Sequence, residues 1–274
     1  MPLICYNGDF IEETTPVLTL QNRMFRFGEG LFETVLVQGS ITRLKDLHVE
    51  RLTNGMASLQ MSTLDIGEIT HNLSALVSRN ATSHHIRARI NVFSEGEKSS
   101  YTIETQSLDE DPTLLNERGW SVDIYPHFIK SLDSFANLKT ASYLPFIMAD
   151  KYAKEKSLDE AIILNTEGNI CEATKMNVFL IKDGIVITPS LAQGCVNGVM
   201  RKHIIELVKQ NGYSVEQKKI APADLLAADE VFLTNAIKSI KWVVRFRDKT
   251  YSNQHVKNIY QIFWQDSHPR SHPS

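Results

Sequence analysis

Apolar and polar positions alternate strictly along residues 86–93, I-R-A-R-I-N-V-F. This predicts a strand with Arg87, Arg89 and Asn91 on one face. Residues 101–105 can pair with it. Two hairpins are predicted earlier: Asn7-Gly8 lies between two short β-like runs, and Gly39-Ser40 joins 31–38 to 41–43. Helical spacing takes over at 45–60, where Leu52, Met56 and Leu59 recur although Asn54-Gly55 weakens the middle. A second amphipathic helix is predicted over 65–79.

The polar stretch 107–118 contains acids and Pro112 and no β-rich run. It is read as the boundary between residues 1–117 and 118–274. Beyond it the pattern predicts a strand near 120–125 and a helix over 145–156 with Pro145 in its first turn. Hairpins follow at Thr166-Glu167-Gly168 and Lys182-Asp183-Gly184. A helix over 199–209, strands at 230–234 and 239–246, and a closing helix over 254–265 complete the chain. The fold class is therefore α+β, with strands and helices mixed in both halves. No regular βαβ alternation is visible and no G-x-G-x-x-G follows a strand, which argues against a dinucleotide fold.

Composition narrows the partners. A chain of 274 residues can bury two cores of ordinary domain size. Its net charge of −3 gives no general bias toward nucleic acid, so a bound anion needs a local site. Cys5, Cys171 and Cys195 are odd in number and fit neither a disulfide framework nor a zinc site. That suggests a reducing, cytoplasmic compartment and no structural metal. The start, Met1 to Asp9, does not read as a signal peptide. No stretch approaches the roughly 20 apolar residues that span a bilayer. The end, His268 to Ser274, reads as a frayed polar tail rather than a metal-binding one.

Several residues are candidates for chemistry. Gly198 precedes a helix whose first amides, on Val199 and Met200, could cup a phosphate; an ordinary glycine N-cap fits the same pattern. Arg51, beside His48, is either a fork for phosphate or a solvated face charge. Glu172 lies in a run poor in charge, where a carboxylate needs a designated partner. Lys139 sits between a polar loop and an apolar helix, and nothing local singles it out.

Taken in order, a set of segments resembles the fold type IV enzymes that use pyridoxal 5′-phosphate (PLP), the class IV aminotransferase family. These are Arg26-Phe27-Gly28-Glu29-Gly30-Leu31-Phe32-Glu33-Thr34, His48-x-x-Arg51-Leu52 and Leu138-Lys139-Thr140. They continue with Glu172 and Asn177-Val178-Phe179, Val196-Asn197-Gly198-Val199-Met200-Arg201, and Asp229 through Ala236. The resemblance implies a smaller N-terminal α/β domain and a larger C-terminal mixed, β-barrel-like domain with helices, as in D-amino acid aminotransferase. It implies a homodimer acting on a small-molecule amino substrate. Lys139 would bond the cofactor's carbonyl carbon and shuttle the proton at the substrate carbon, with burial and nearby cations keeping its amine neutral enough to attack. Glu172 would face the pyridine nitrogen, and Arg51, Asn177, Gly198, Val199, Met200, Thr234 and Asn235 would lie on the cofactor, mostly around its phosphate.

Two reactions compete within the resemblance. One is 4-amino-4-deoxychorismate lyase, of folate biosynthesis, which releases 4-aminobenzoate and pyruvate. The other is transamination of branched-chain or D-amino acids. V-N-G-V-M-R looks more like the lyase, since branched-chain aminotransferases tend to place threonine where Met200 stands. Ser94-Glu95-Gly96-Glu97-Lys98 departs from the glycine- and arginine-rich turn of many lyases, and Ser142 stands where several relatives have asparagine. Phe32, Arg87, Arg89 and Tyr143 are candidates for the substrate. The arginines also fit an exposed strand face, and Tyr143 a core position. A non-catalytic module that kept the fold is a further alternative, opposed by the retention of Lys139 and Glu172.

Overall fold

The structure, a computed structural model, describes residues 1–267. The segment from His268 to Ser274, read above as a polar tail, lies outside the described residues. The chain forms two compact units. One is Met1–Pro112 with Leu138–Tyr143, and the other is Thr113–Asn137 with the chain from Leu144 onward. The change of unit thus falls at Pro112, inside the polar stretch 107–118. The short segment bearing Lys139 packs with the first unit rather than with its neighbours in sequence.

The first unit contains β1 (Leu3–Tyr6), β2 (Asp9–Glu12), α1 (Arg23–Phe27), β3 (Gly30–Gln38), β4 (Ile41–Thr42), α2 (Lys45–Ser58), α3 (Ile66–Asn80), β5 (His85–Glu95) and β6 (Lys98–Leu108). Its strands form one six-stranded sheet in the order β2-β1-β6-β5-β3-β4. β5 is central and antiparallel to both β3 and β6. Ile86, Ala88 and Ile90 join Leu31, Val35, Leu52, Met56, Ile69 and Leu73 in one core with α2 and α3. Pleating therefore puts Arg87, Arg89 and Asn91 on the opposite face, as their alternation predicts. Asn54-Gly55 does not interrupt α2. A Cβ on buried Gly55 would lie 2.8 Å from Leu31 Cδ1, so the glycine lets the helix close onto β3. That closeness offsets the roughly 1 kcal/mol a helical glycine costs relative to alanine.

The second unit contains β7 (Trp120–Lys130), α4 (Leu144–Glu155), β8 (Glu160–Asn165), β9 (Ile170–Ala173), β10 (Asn177–Lys182), β11 (Ile185–Pro189), α5 (Val199–Gln210), β12 (Val215–Lys218), α6 (Pro222–Ala227), β13 (Glu230–Asn235), β14 (Ser239–Phe246), β15 (Lys249–Thr250) and α7 (Gln254–Ser267). Its nine-stranded sheet runs β12-β11-β10-β13-β14-β7-β8-β9, with β15 paired to β14. No regular βαβ alternation runs through it, but two isolated parallel crossovers occur that the sequence pattern did not show. β7 and β8 are parallel and flank α4, and β11 and β12 are parallel and flank α5. The first crossover is masked by the long segment between β7 and α4. The second is masked because β12 is a short, mostly exposed edge strand with almost no apolar signal. No helix among the described residues is long and apolar enough to cross a membrane.

Candidate functional site

The candidates fall into two sets, one carried by each unit. In the first unit, β3 runs Leu31-Phe32-Glu33. Pleating turns Leu31 and Glu33 toward α2 and Phe32 to the other face. Lys139 reaches that other face because its segment lies along the start of β3. The Phe32 amide donates to the Lys139 carbonyl at 3.0 Å, and the Ala141 amide to the Gly30 carbonyl at 2.8 Å. The Lys139 Nζ stands 4.2 Å from the centroid of the Phe32 ring and 5.9 Å from that of Tyr143. Tyr143 meets Phe32 edge-on at 5.5 Å and is half-buried, so it belongs to this cluster and not to the core. Arg89 stacks its guanidinium 3.9 Å from the same Phe32 centroid, while Arg87 is exposed.

On the helix side, Glu33 is buried and accepts from Arg51 Nε at 2.7 Å. It also contacts His48 Nδ1 at 2.6 Å. Burial alone would raise the Glu33 pKa, but the Arg51 and His48 charges and their hydrogen bonds outweigh it and hold it at about 2. Arg51 is therefore not a solvated face charge. Its fork grips a carboxylate of its own unit. Glu33 carried the signal that identifies this partner, a lone acid in an apolar strand.

In the second unit, Glu172 is buried on β9. Its Oε1 accepts from the ammonium of Lys130 and its Oε2 from the Val196 amide at 3.0 Å. Lys130, the last residue of β7, is the designated partner the sequence left unnamed. Burial would lower its pKa, but the Glu172 charge outweighs this and raises it. No spacing rule links residues on β7 and β9.

Asn177 opens β10 and pairs across strands with Thr234 on β13, so their side chains share a face. Asn177 Nδ2 donates to the Val196 carbonyl at 3.0 Å. A Cβ on Gly198 would fall 1.9 Å from Asn177 Oδ1, so glycine is required there and the simple N-cap reading is too weak. α5 starts at Val199 without a side-chain cap, and Val199 and Met200 are buried. Thr234 is wholly buried, and its Oγ1 has no hydrogen-bond partner among the described residues. The Asn235 side chain is committed to the turn after β13. Its Oδ1 accepts from the Ile237 and Lys238 amides, and its Nδ2 donates to the Lys175 carbonyl.

Residues 30–245 match the family model described as amino-transferase class IV. The chain belongs to the class IV aminotransferase family. As a member of it, the protein is an enzyme with the mixed α+β fold type IV architecture, and PLP is the family's cofactor. It is 27% identical over 264 residues to the aminodeoxychorismate lyase of Bacillus subtilis, covering 92% of this chain and 89% of that one. It is 24% identical over 276 residues to a putative branched-chain-amino-acid aminotransferase of Methanocaldococcus jannaschii, covering 93% and 92%. In fold it matches a PLP-bound aminotransferase from Brucella abortus with a TM-score of 0.86 at 20% identity, over 97% of this chain and 99% of that one.

The residues present fit such a cofactor. An uncapped helix start offers amides to an anion, and Gly198 leaves room for it. The orphaned Thr234 hydroxyl on the neighbouring strand is a donor awaiting an acceptor.

Proposed function

We propose that the protein is a PLP-dependent 4-amino-4-deoxychorismate lyase, acting as a cytoplasmic homodimer. The reading rests on the match along nearly the whole chain to the Bacillus subtilis lyase. It gains support from Met200, buried at the helix start with no polar group to offer. The three cysteines are buried and unpaired, which suits a reducing compartment.

PLP, when bound, supplies a carbonyl carbon that bonds an amine and a ring that takes up electrons. Lys139 would hold that carbonyl carbon, and a substrate amine taking its place there would free the lysine amine to act as a base. Its freed amine then takes the proton from the ring carbon bearing the substrate nitrogen. The electron pair left behind forms the new ring double bond as the adjacent carbon–oxygen bond breaks. Its oxygen would leave with that bond's pair and take back the proton Lys139 carries, giving the enol of pyruvate. The substrate ring becomes aromatic, and the neutral Lys139 amine would then displace 4-aminobenzoate from the cofactor's carbonyl carbon. Glu172 would keep a proton on the pyridine nitrogen, and Lys130 balances its buried charge. The Val199 and Met200 amides, Gly198 and Thr234 would hold the phosphate, with Asn177 fixing the Gly198 turn. Arg51, whose fork Glu33 holds, would lend its positive charge to the phosphate. Asn235 acts through the turn it shapes. Phe32, Tyr143, Arg87 and Arg89 lie toward the substrate.

A second reading, transamination of branched-chain or D-amino acids, is favoured by the plain hairpin joining β5 to β6 at Gly96, which carries no arginine. Both are tested by supplying 4-amino-4-deoxychorismate and, separately, L- and D-amino acids with 2-oxoglutarate. Release of 4-aminobenzoate is expected. Glutamate formation without it overturns the lyase reading.

A further inference from the structure

α5 begins with features that a helix left to itself does not favour. Gly198 offers its free amides no side-chain cap, and the first turn holds no acid. The third residue of the helix, Arg201, sets a cation where the macrodipole is already positive. Arg201 is 3% exposed, so little water offsets its charge. Among the described residues no carboxylate pairs with it. Its Nη2 donates to two neutral oxygens, the Pro189 carbonyl and Gln217 Oε1, both at 2.8 Å, and its buried Nε has no hydrogen-bond partner. Burial lowers its pKa, opposed only by the nearby Cys195. Burial pushes that thiol up to about 11, so it stays neutral and is no counter-ion. Lys130, another buried cation of the same unit, is by contrast matched by Glu172.

A buried cation at a helix start is strongly disfavoured until an anion accompanies it. The same corner holds a second unsatisfied donor. Thr234 Oγ1 lies on the strand paired with Asn177, whose side chain packs against Gly198. Val199 and Met200 have apolar side chains, so of the first three on α5 only Arg201 brings charge.

We propose that Arg201 is the counter-charge of the cofactor's phosphate, buried in the turn whose amides meet it, and that it selects PLP over the unphosphorylated aldehyde pyridoxal. It acts through the field of its charge and needs no contact with the phosphate. This rests on the reading that the phosphate lies at the start of α5.

The test is equilibrium dialysis of PLP and, separately, of pyridoxal against the cofactor-free enzyme. Arg201→Gln removes the charge and keeps an amide able to donate to the Pro189 carbonyl. It is expected to weaken PLP by about tenfold or more and pyridoxal by less than about twofold, the scale of one charge acting on an anion across a helical turn. Gln217→Glu leaves the arginine in place and hands it a carboxylate partner. It should lower the ratio of PLP to pyridoxal affinity by at least about threefold, with the fold intact. An arginine that only braces β11 and β12 against α5 would weaken both ligands together in Arg201→Gln and leave the ratio alone in Gln217→Glu. An unchanged ratio in Arg201→Gln overturns the proposal, and if that variant does not fold, an unchanged ratio in Gln217→Glu does so. If wild type itself binds PLP no more tightly than pyridoxal, the phosphate reading falls as well. With that preference intact and neither variant altering it, Arg201 alone is misassigned.

Discussion

The ammonium of Lys130 and the carboxylate of Glu172 form a buried ion pair between the end of β7 and β9. Removing one partner leaves a charge in a site with little water. Lys130→Met is expected to destabilise the fold by about 3–5 kcal/mol, and adding Glu172→Gln should recover much of the loss. Urea unfolding of the single and double variants measures both. Additive losses would show that the two side chains do not depend on each other.

Lys139→Ala should abolish the visible band of the lysine–cofactor adduct and lower turnover by at least about a hundredfold, the scale of a lost proton-transfer group. Absorbance before and after borohydride, with single-turnover assays, reads both. Full turnover in this variant would remove Lys139 from the chemistry.

Thr234→Val has expected effects of opposite sign. The buried Oγ1 has no partner, so replacing it with a methyl group should raise the stability of the cofactor-free protein by about 1 kcal/mol. The same change should weaken PLP binding. Thermal unfolding without cofactor, paired with a PLP titration, separates the two. Loss of stability in the cofactor-free form would mean the hydroxyl already has a partner.

Gly198→Ala should weaken PLP binding by about tenfold or more, since its Cβ would collide with the Asn177 side chain and displace the start of α5. Equilibrium dialysis of PLP against the variant checks this, and an unchanged dissociation constant would place the phosphate elsewhere.

Glu33 gives a pH dependence with a defined sign. Its folded pKa, about 2, lies below the ordinary value of 4.5, so it stabilises the fold above pH 4.5. That contribution, on the order of 3 kcal/mol, is lost as pH falls toward the folded value. Glu33→Gln should flatten the loss of stability between roughly pH 4.5 and 2 relative to wild type, measured by unfolding at each pH. An unchanged slope would mean that Glu33 titrates normally.

The order of local elements was legible in the chain because it follows from short-range periodicity. Arg87, Arg89 and Asn91 had to share a face once residues 86–93 were a strand, and the Asn7-Gly8 and Asp183-Gly184 hairpins announce themselves. The family segments marked Lys139 and Glu172 by their place in a series, which is information about descent and not about contact. What only the tertiary structure decided are the partners. Lys130 meets Glu172, Arg51 grips Glu33, Arg89 and Lys139 meet on Phe32, and Gly198 fits against Asn177 because strands distant in sequence hydrogen-bond side by side. A side chain's charge, burial and direction are set by these non-local neighbours, and no local pattern of apolar and polar residues encodes which strand will lie next to which.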